Sequence, residues 1–234
     1  GTLQVQDDFN LGDVFGGVTI NGATLKLDNF VALDEDRTII LTSAGGTIDT
    51  ASAFSEIDGV ITGAGRLTIS GANGYIAIFG VNDYGGGTLV TGGATLLTEV
   101  DENFGNVNGG VTLDSGALLF FDDVTLASTR TLTLGAGGGA IIVDASASEI
   151  AGTITGSGAL TVLVDPNLGA GGGDLYLTGI NNYTGGTVLQ GFGTFGIPAS
   201  IIITDDRNLG ALAGGITIDT GQILFDADMS LNAG

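Results

Sequence analysis

The chain repeats itself at a long period. A block that opens with Gly1-Thr2-Leu3 returns at Ala94-Thr95-Leu96 and again at Gly193-Thr194-Phe195, so the 234 residues hold two long copies, 1–93 and 94–192, and part of a third, 193–234. Self-similarity of this kind marks a fold built by stacking one unit on the next, read here as a single elongated domain. Subtraction fixes the register. Ile57-Asp-Gly-Val-Ile-Thr-Gly-Ala-Gly-Arg-Leu-Thr-Ile69 returns as Ile150-Ala-Gly-Thr-Ile-Thr-Gly-Ser-Gly-Ala-Leu-Thr-Val162, an offset of 150 − 57 = 93, and Arg37-Thr38 returns as Arg130-Thr131. Gly80-Val-Asn-Asp-Tyr-Gly-Gly-Gly-Thr88 returns as Gly179-Ile-Asn-Asn-Tyr-Thr-Gly-Gly-Thr187 at 179 − 80 = 99, and Gly109-Gly-Val-Thr-Leu-Asp114 as Gly214-Gly-Ile-Thr-Ile-Asp219 at 214 − 109 = 105. The offset grows in two steps, which places insertions near Pro166–Gly173 and near residues 196–203. Insertions that shift register without erasing the pattern are loops on a regular scaffold.

Within each copy the apolar residues alternate: Leu3 and Val5, Val18 and Ile20, Leu25 and Leu27, Ile39 and Leu41, Leu67 and Ile69, Leu132 and Leu134, Leu175 and Leu177, Ile216 and Ile218. Period-two runs of Val, Ile, Leu and Thr are half-buried strands, and no stretch sustains a helical period. The 44 glycines argue against helices as well, because each one inside a helix costs about 1 kcal/mol. Propeller blades run at roughly 40–50 residues with aromatic signatures missing here, and sandwiches show no such long repeat. Asn10-Leu11-Gly12, Asn103-Phe104-Gly105 and Asn208-Leu209-Gly210 fall at equivalent places and supply corners, since Asn and Gly tolerate positive φ. A coil of roughly 20–25 residues per rung gives about four rungs per copy and about ten in all, stacked at ~4.8 Å into a rod near 50 Å long.

Several function classes are set aside by composition. The 26 acidic residues against 5 basic ones leave a net charge of −21, which opposes nucleic acid and anionic membrane as partners and favours cations and mutual repulsion. No apolar run is long enough for a membrane-spanning helix and no signal-peptide pattern opens the chain. Cysteine and histidine are absent, which removes disulfides, thiolate chemistry, histidine metal sites and Ser-His-Asp catalysis from this segment. At 43% hydrophobic residues the chain folds rather than staying disordered.

The order Gly-Gly-Val-Thr-Leu-Asp-Ser-Gly-Ala-Leu118, Thr-Arg-Thr-Leu-Thr-Leu-Gly-Ala-Gly-Gly-Gly139, Ile-Thr-Gly-Ser-Gly-Ala-Leu-Thr161, Leu-Thr-Gly-Ile-Asn-Asn-Tyr-Thr-Gly-Gly-Thr187 and Gly-Thr-Phe195 resembles the autotransporter-associated β-strand repeat of Gram-negative passenger domains. The resemblance implies an all-β, right-handed parallel β-helix, export to the bacterial cell surface, and adhesion or autoaggregation. It implies no catalytic residues.

Candidate chemistry is sparse. Acids cluster at Asp7-Asp8, Asp34-Glu35-Asp36, Asp122-Asp123, Asp205-Asp206, and Asp226 with Asp228. Gathered from neighbouring rungs, such carboxylates supply oxygen ligands for Ca²⁺, and Asp122, Asp123, Asp226 and Asp228 are the candidate calcium ligands. Neither an EF-hand nor a calcium-binding nonapeptide is present, so the same carboxylates also fit solvated turns without a cofactor. For a carbohydrate-active β-helix, the nearest candidates are Asp122 and Asp123 with Arg130, or Asp34 and Asp36 with Arg37. Both arginines occupy equivalent positions of the repeat, which favours a structural pairing with corner acids or carbonyls. Tyr84 and Tyr183 offer aromatic surface for sugar or, being equivalent, packing. Gly135–Gly139 and Gly169–Gly173 lack the Lys-Ser/Thr ending of a phosphate loop. The expectation is a non-enzymatic extracellular structural and adhesive module whose partners are other copies, adjoining repeats or surface glycans. A filament of stacked repeats is the alternative, with a carbohydrate-active enzyme behind it. The unrepeated residues 163–174 and 196–203 are where a special activity is first sought.

Overall fold

The computed structural model describes residues 1–28, 30–50, 54–144, 147–164, 173–191 and 198–226. All strand pairs are parallel. Strands of an eight-stranded sheet begin at residues 2, 24, 46, 67, 88, 111, 132 and 154, so one rung takes 21 to 23 residues. A nine-stranded sheet runs beside it, and the third side of the coil is a three-stranded sheet followed by a five-stranded one. The chain is thus a parallel β-solenoid of about nine turns, close to the ten expected from rung length.

Register explains why alternation was so regular. Leu3, Leu25, Ile48, Ile69, Val90, Leu113 and Leu134 pair in succession down the eight-stranded sheet. Ile76, Leu96, Leu118, Ile141, Val162, Leu189 and Ile218 do the same down the nine-stranded one. Each ladder points one apolar side chain per rung into the core, and each buried one stabilises by about 1.5–3 kcal/mol. Only the ends of the ladders open: Leu3 is 54% exposed and Ile218 52%. The alternation breaks in two sheets. Ala77, Leu97, Leu119 and Ile142 form a small second cluster apart from the main core, so these strands bury apolar residues on both faces. Ser200–Ile203 in the five-stranded sheet is buried at all four positions.

Equivalent strands of successive copies do not share a sheet. Thr2–Val5 lies in the eight-stranded sheet, Thr95–Thr98 in the nine-stranded and Ser200–Ile203 in the five-stranded. Between the first two, the chain returns to the eight-stranded sheet four times, at Thr24, Gly46, Leu67 and Thr88, before Thr95 lands on the next side. One copy therefore spans four turns and one further side of three. Of the expected insertions, residues 165–172 and 192–197 lie outside the described residues. Asp174–Leu177 and Ser200–Ile203 at their far ends are paired strands of the scaffold, so residue 174 and residues 200–203 of the unrepeated stretches belong to the ladder.

Candidate functional site: a repeated corner pinned by arginine

Where each copy turns a corner the ladder is interrupted by a short 3-10 helix, at Asp8–Leu11, Asp101–Phe104 and Asp206–Leu209. Sequence alone read these as simple turns. An aspartate side chain caps two of the three. Asp7 Oδ1 accepts from Phe9 N at 2.9 Å and Asp205 Oδ1 from Arg207 N at 2.9 Å, while Val100 leaves the middle copy without a side-chain cap. Gly12, Gly105 and Gly210 end the helices at φ 88, 75 and 88°, with ψ near −160°, a region open only to glycine.

A missing strand leaves backbone groups that water or a side chain must satisfy. Asparagine does so here. Asn82 Oδ1 accepts from Ile61 N at 2.7 Å, its Nδ2 donates to Asn103 O at 2.8 Å, and Asn103 Nδ2 donates back to Gly80 O at 3.1 Å. The second copy repeats the bridge through Asn181 and Asn208, from Ile154 N to Gly179 O. Three rungs are tied where no strand runs. Beside them Tyr84 and Tyr183 are fully buried, each bonding a threonine hydroxyl, Thr88 at 2.6 Å and Thr187 at 2.5 Å. Burial pushes the Tyr183 phenol up to about 12 and raises Tyr84 further, although the threonine bonds and, for Tyr84, Arg130 pull the other way. Both tyrosines pack; neither presents a ring to a sugar.

The arginines hold the corner from the following rung. Arg37, fully buried, donates to the Asp8 carboxylate, to Asp8 O at 3.3 Å, Gly12 O at 3.0 Å and Gly16 O at 2.7 Å. Arg130 donates to Asp101 Oδ1 at 2.6 Å and Oδ2 at 3.0 Å, and to the carbonyls of Asp101, Gly105 and Gly109 at 3.1, 3.0 and 2.8 Å. Its guanidinium also sits 5.7 Å from the Phe104 ring centre. This corrects the pairing sought for catalysis. Arg37 turns to Asp8 rather than to Asp34 or Asp36, and Arg130 to Asp101 rather than to Asp122 or Asp123, because the guanidinium fork is drawn to a ring of inward carbonyls that only the 3-10 corner supplies. A signal was present in the sequence: Asp8, Asp101 and Asp206 stand at the offsets 101 − 8 = 93 and 206 − 101 = 105.

Two of the calcium candidates, Asp122 and Asp123, are neighbours on one corner. Asp122 Oδ1 accepts from Asp123 N at 2.8 Å and Asp123 Oδ1 from Ala147 N at 2.9 Å, so both carboxylates cap backbone on the exposed corner. Asp226 is exposed at the end of the last strand, and Asp228 lies outside the described residues. Among the described residues no three acidic side chains gather as a metal site. On the surface, Arg207 holds the Asp205 carboxyl well below the usual range, through its side chain first and its backbone N–H second. A groove of about 560 Å³ beside the first corner is lined by Asp7, Phe9, Phe30, Asp34, Glu35 and Asp58. The second copy has Glu102, Asp123, Ala127, Ser128 and Ala151 where the first has Phe9, Phe30, Asp34, Glu35 and Asp58, so this groove is not copied.

Fold and corner together define a parallel β-solenoid of long repeats, two of whose three equivalent corners are pinned by a buried arginine. No family model matches the chain, and no solved structure matches it. Among curated proteins it is similar to the "Adhesin BmaC autotransporter" of Brucella suis biovar 1 (strain 1330), at 32% identity over 178 residues. The match covers 62% of this chain and 5% of that protein's length.

Proposed function

We propose that the chain is a segment of an autotransporter-like passenger solenoid on a bacterial surface, a structural and adhesive module rather than an enzyme. The observation that carries this reading is the similarity to an autotransporter adhesin in a chain whose fold is a continuous β-solenoid. The buried arginines and asparagines support it, since their donors go to the backbone of neighbouring rungs. Partners then meet the sides of the rod. The uncopied groove with Phe9 and Phe30, 79% and 76% exposed, is the part of this surface that differs most from the shared scaffold. At a charge of −21, contact between rods is opposed by repulsion and strengthens as salt or divalent cations screen it.

Display of the chain on a non-adherent bacterium tests the adhesive reading. Attachment to host cells or matrix above the empty-vector level is the expected result, with a reduction on exchanging Phe9 and Phe30 for serine. Attachment equal to the empty vector removes adhesion from this segment. Light scattering from low to molar salt tests self-association separately, and a particle size independent of salt excludes it.

A further inference from the structure

The corners of the first two copies share a frame. Asp8, Val14, Val31 and Leu33 return as Asp101, Val107, Val124 and Leu126, at the offset 101 − 8 = 93. Six side chains around the groove of the first corner do not return. Phe9 and Phe30 give way to Glu102 and Asp123, and Asp7, Asp34, Glu35 and Asp58 to Val100, Ala127, Ser128 and Ala151. The first copy thus sets two rings among four carboxylates where the second has two carboxylates and no ring. Exposure at these places belongs to the corner itself, not to where the first copy stands in the chain. Glu102 and Asp123 are exposed too, with a rung before them whose Asn82 N donates to Glu102 O at 3.1 Å.

The groove holds about 560 Å³, within the roughly 300–1,000 Å³ of small-ligand clefts. Its floor is apolar, since Val31 and Leu33 are buried. Asp8 is already paired with Arg37, and no basic residue lines the groove, which leaves the charge of Asp7, Asp34, Glu35 and Asp58 unbalanced within it. Phe9 and Phe30 keep most of their rings in water. Phe30 does so at φ 63°, a region that asparagine or glycine enters readily and a bulky residue rarely.

We propose that this groove takes an arginine-bearing segment of a partner protein. An anionic rim calls for a cation, and exposed rings beside it select which one. Guanidinium stacks on aromatic faces, pairs with carboxylates through two parallel N–H bonds and is weakly hydrated, whereas ammonium is a strongly hydrated point charge. The arginine stem covers the apolar floor. The inference rests on the adhesive reading in taking the side of the rod as the contact surface, and it adds the chemistry of what is held.

The chain is titrated by calorimetry, at low salt, with an acetylated and amidated peptide of three Gly-Arg units and with its lysine counterpart. The lysine peptide is expected to bind at least about threefold more weakly. Phe9→Ser with Phe30→Ser, which leaves the net charge unchanged, and Asp34→Asn with Glu35→Gln are each expected to weaken arginine-peptide binding at least about fivefold. Glu102→Gln with Asp123→Asn removes two charges from the equivalent corner and is expected to change it less than about twofold. No binding, equal affinity for the two peptides, no loss on removing the rings, or equal losses from charge removal at both corners overturns the proposal. Amide resonances of the wild-type chain give a reading that needs no variant: shifts confined to residues 6–9, 30–35 and 58 support the groove, and shifts spread over both corners overturn it. Displaying cells that attach while the peptide fails to bind overturn this inference and leave the adhesive reading standing; peptide binding in the groove without attachment supports the inference and removes adhesion.

Discussion

Tyr84 lies against the α-carbon of Gly105 one rung on: a Cβ built at Gly105 would stand 2.7 Å from Tyr84 O and 3.0 Å from the ring carbons Cδ1 and Cδ2. Tyr183 and Gly210 repeat the arrangement. Gly12 has the same backbone conformation with open space at that point. Conformation and close packing can therefore be separated by one substitution at two sites. Gly12→Ala is expected to cost about 1–3 kcal/mol for the backbone alone, and Gly105→Ala to exceed it by at least about 1 kcal/mol through the clash. Urea unfolding of both variants checks the difference, and equal costs would mean that the ring contributes nothing.

Arg130 is held too completely for a conservative exchange to succeed. Arg130→Met strands the Asp101 carboxylate, 15% exposed, and a set of carbonyls, for an expected loss of about 3–5 kcal/mol. Lysine is expected to recover less than half of that, because one ammonium cannot span the fork's partners. Thermal unfolding of the two variants beside wild type measures this.

The asparagine bridge predicts a sharp contrast between neighbours in type. Asn82→Ala leaves Ile61 N and Asn103 O buried without their partner and is expected to cost about 2–3 kcal/mol. Asn108→Ala, on the exposed side of the same corner, is expected to stay within about 0.5 kcal/mol. Hydrogen exchange at Ile61 reads the bridge directly, and an unchanged rate in Asn82→Ala would refute it.

Alkali is expected to unfold the rod through its tyrosines. Because burial raises the folded Tyr183 phenol from 10.0 to about 12, and Tyr84 further, the unfolded chain gives up these protons first as pH rises above 10. The stability held in the two neutral phenols is complete below pH 10 and falls as pH climbs through about 12. Phenolate formation at Tyr84 and Tyr183 is expected only as the pH approaches about 12, with circular dichroism lost alongside it. Ionisation of these two tyrosines below pH 11, with the fold intact, would contradict it.

Calcium is expected to act only as a screening ion on the corner carboxylates. Millimolar Ca²⁺ should then raise the Tm no more than Mg²⁺ at the same concentration, and a selective rise of several degrees would favour Asp122, Asp123, Asp226 and Asp228 as ligands instead.

Much of the scaffold could be read in advance, because a period of two is a local property. Leu25 and Leu27, or Leu132 and Leu134, announce a half-buried strand without knowledge of anything else in the chain. The partners of Arg37 could not be read in this way. Asp34 and Asp36 are nearest in sequence, yet the carbonyl ring that outbids them is formed by residues 8 to 16, 21 to 29 positions away and a full rung before. The sheet assigned to each copy was equally hidden. It depends on the remainder left when the repeat is divided by the rung, and a few residues in rung length would change it.

That remainder gives the molecule a thread, like that of a screw. Each copy begins one side later than the one before, so the same corner looks out in a new direction on every recurrence and regains its first bearing only after three. A receptor wrapped around the shaft would meet like features from every quarter. Two shafts lying flank to flank would find them aligned at one copy in three, which leaves long stretches of any lateral contact to be made by unlike surfaces.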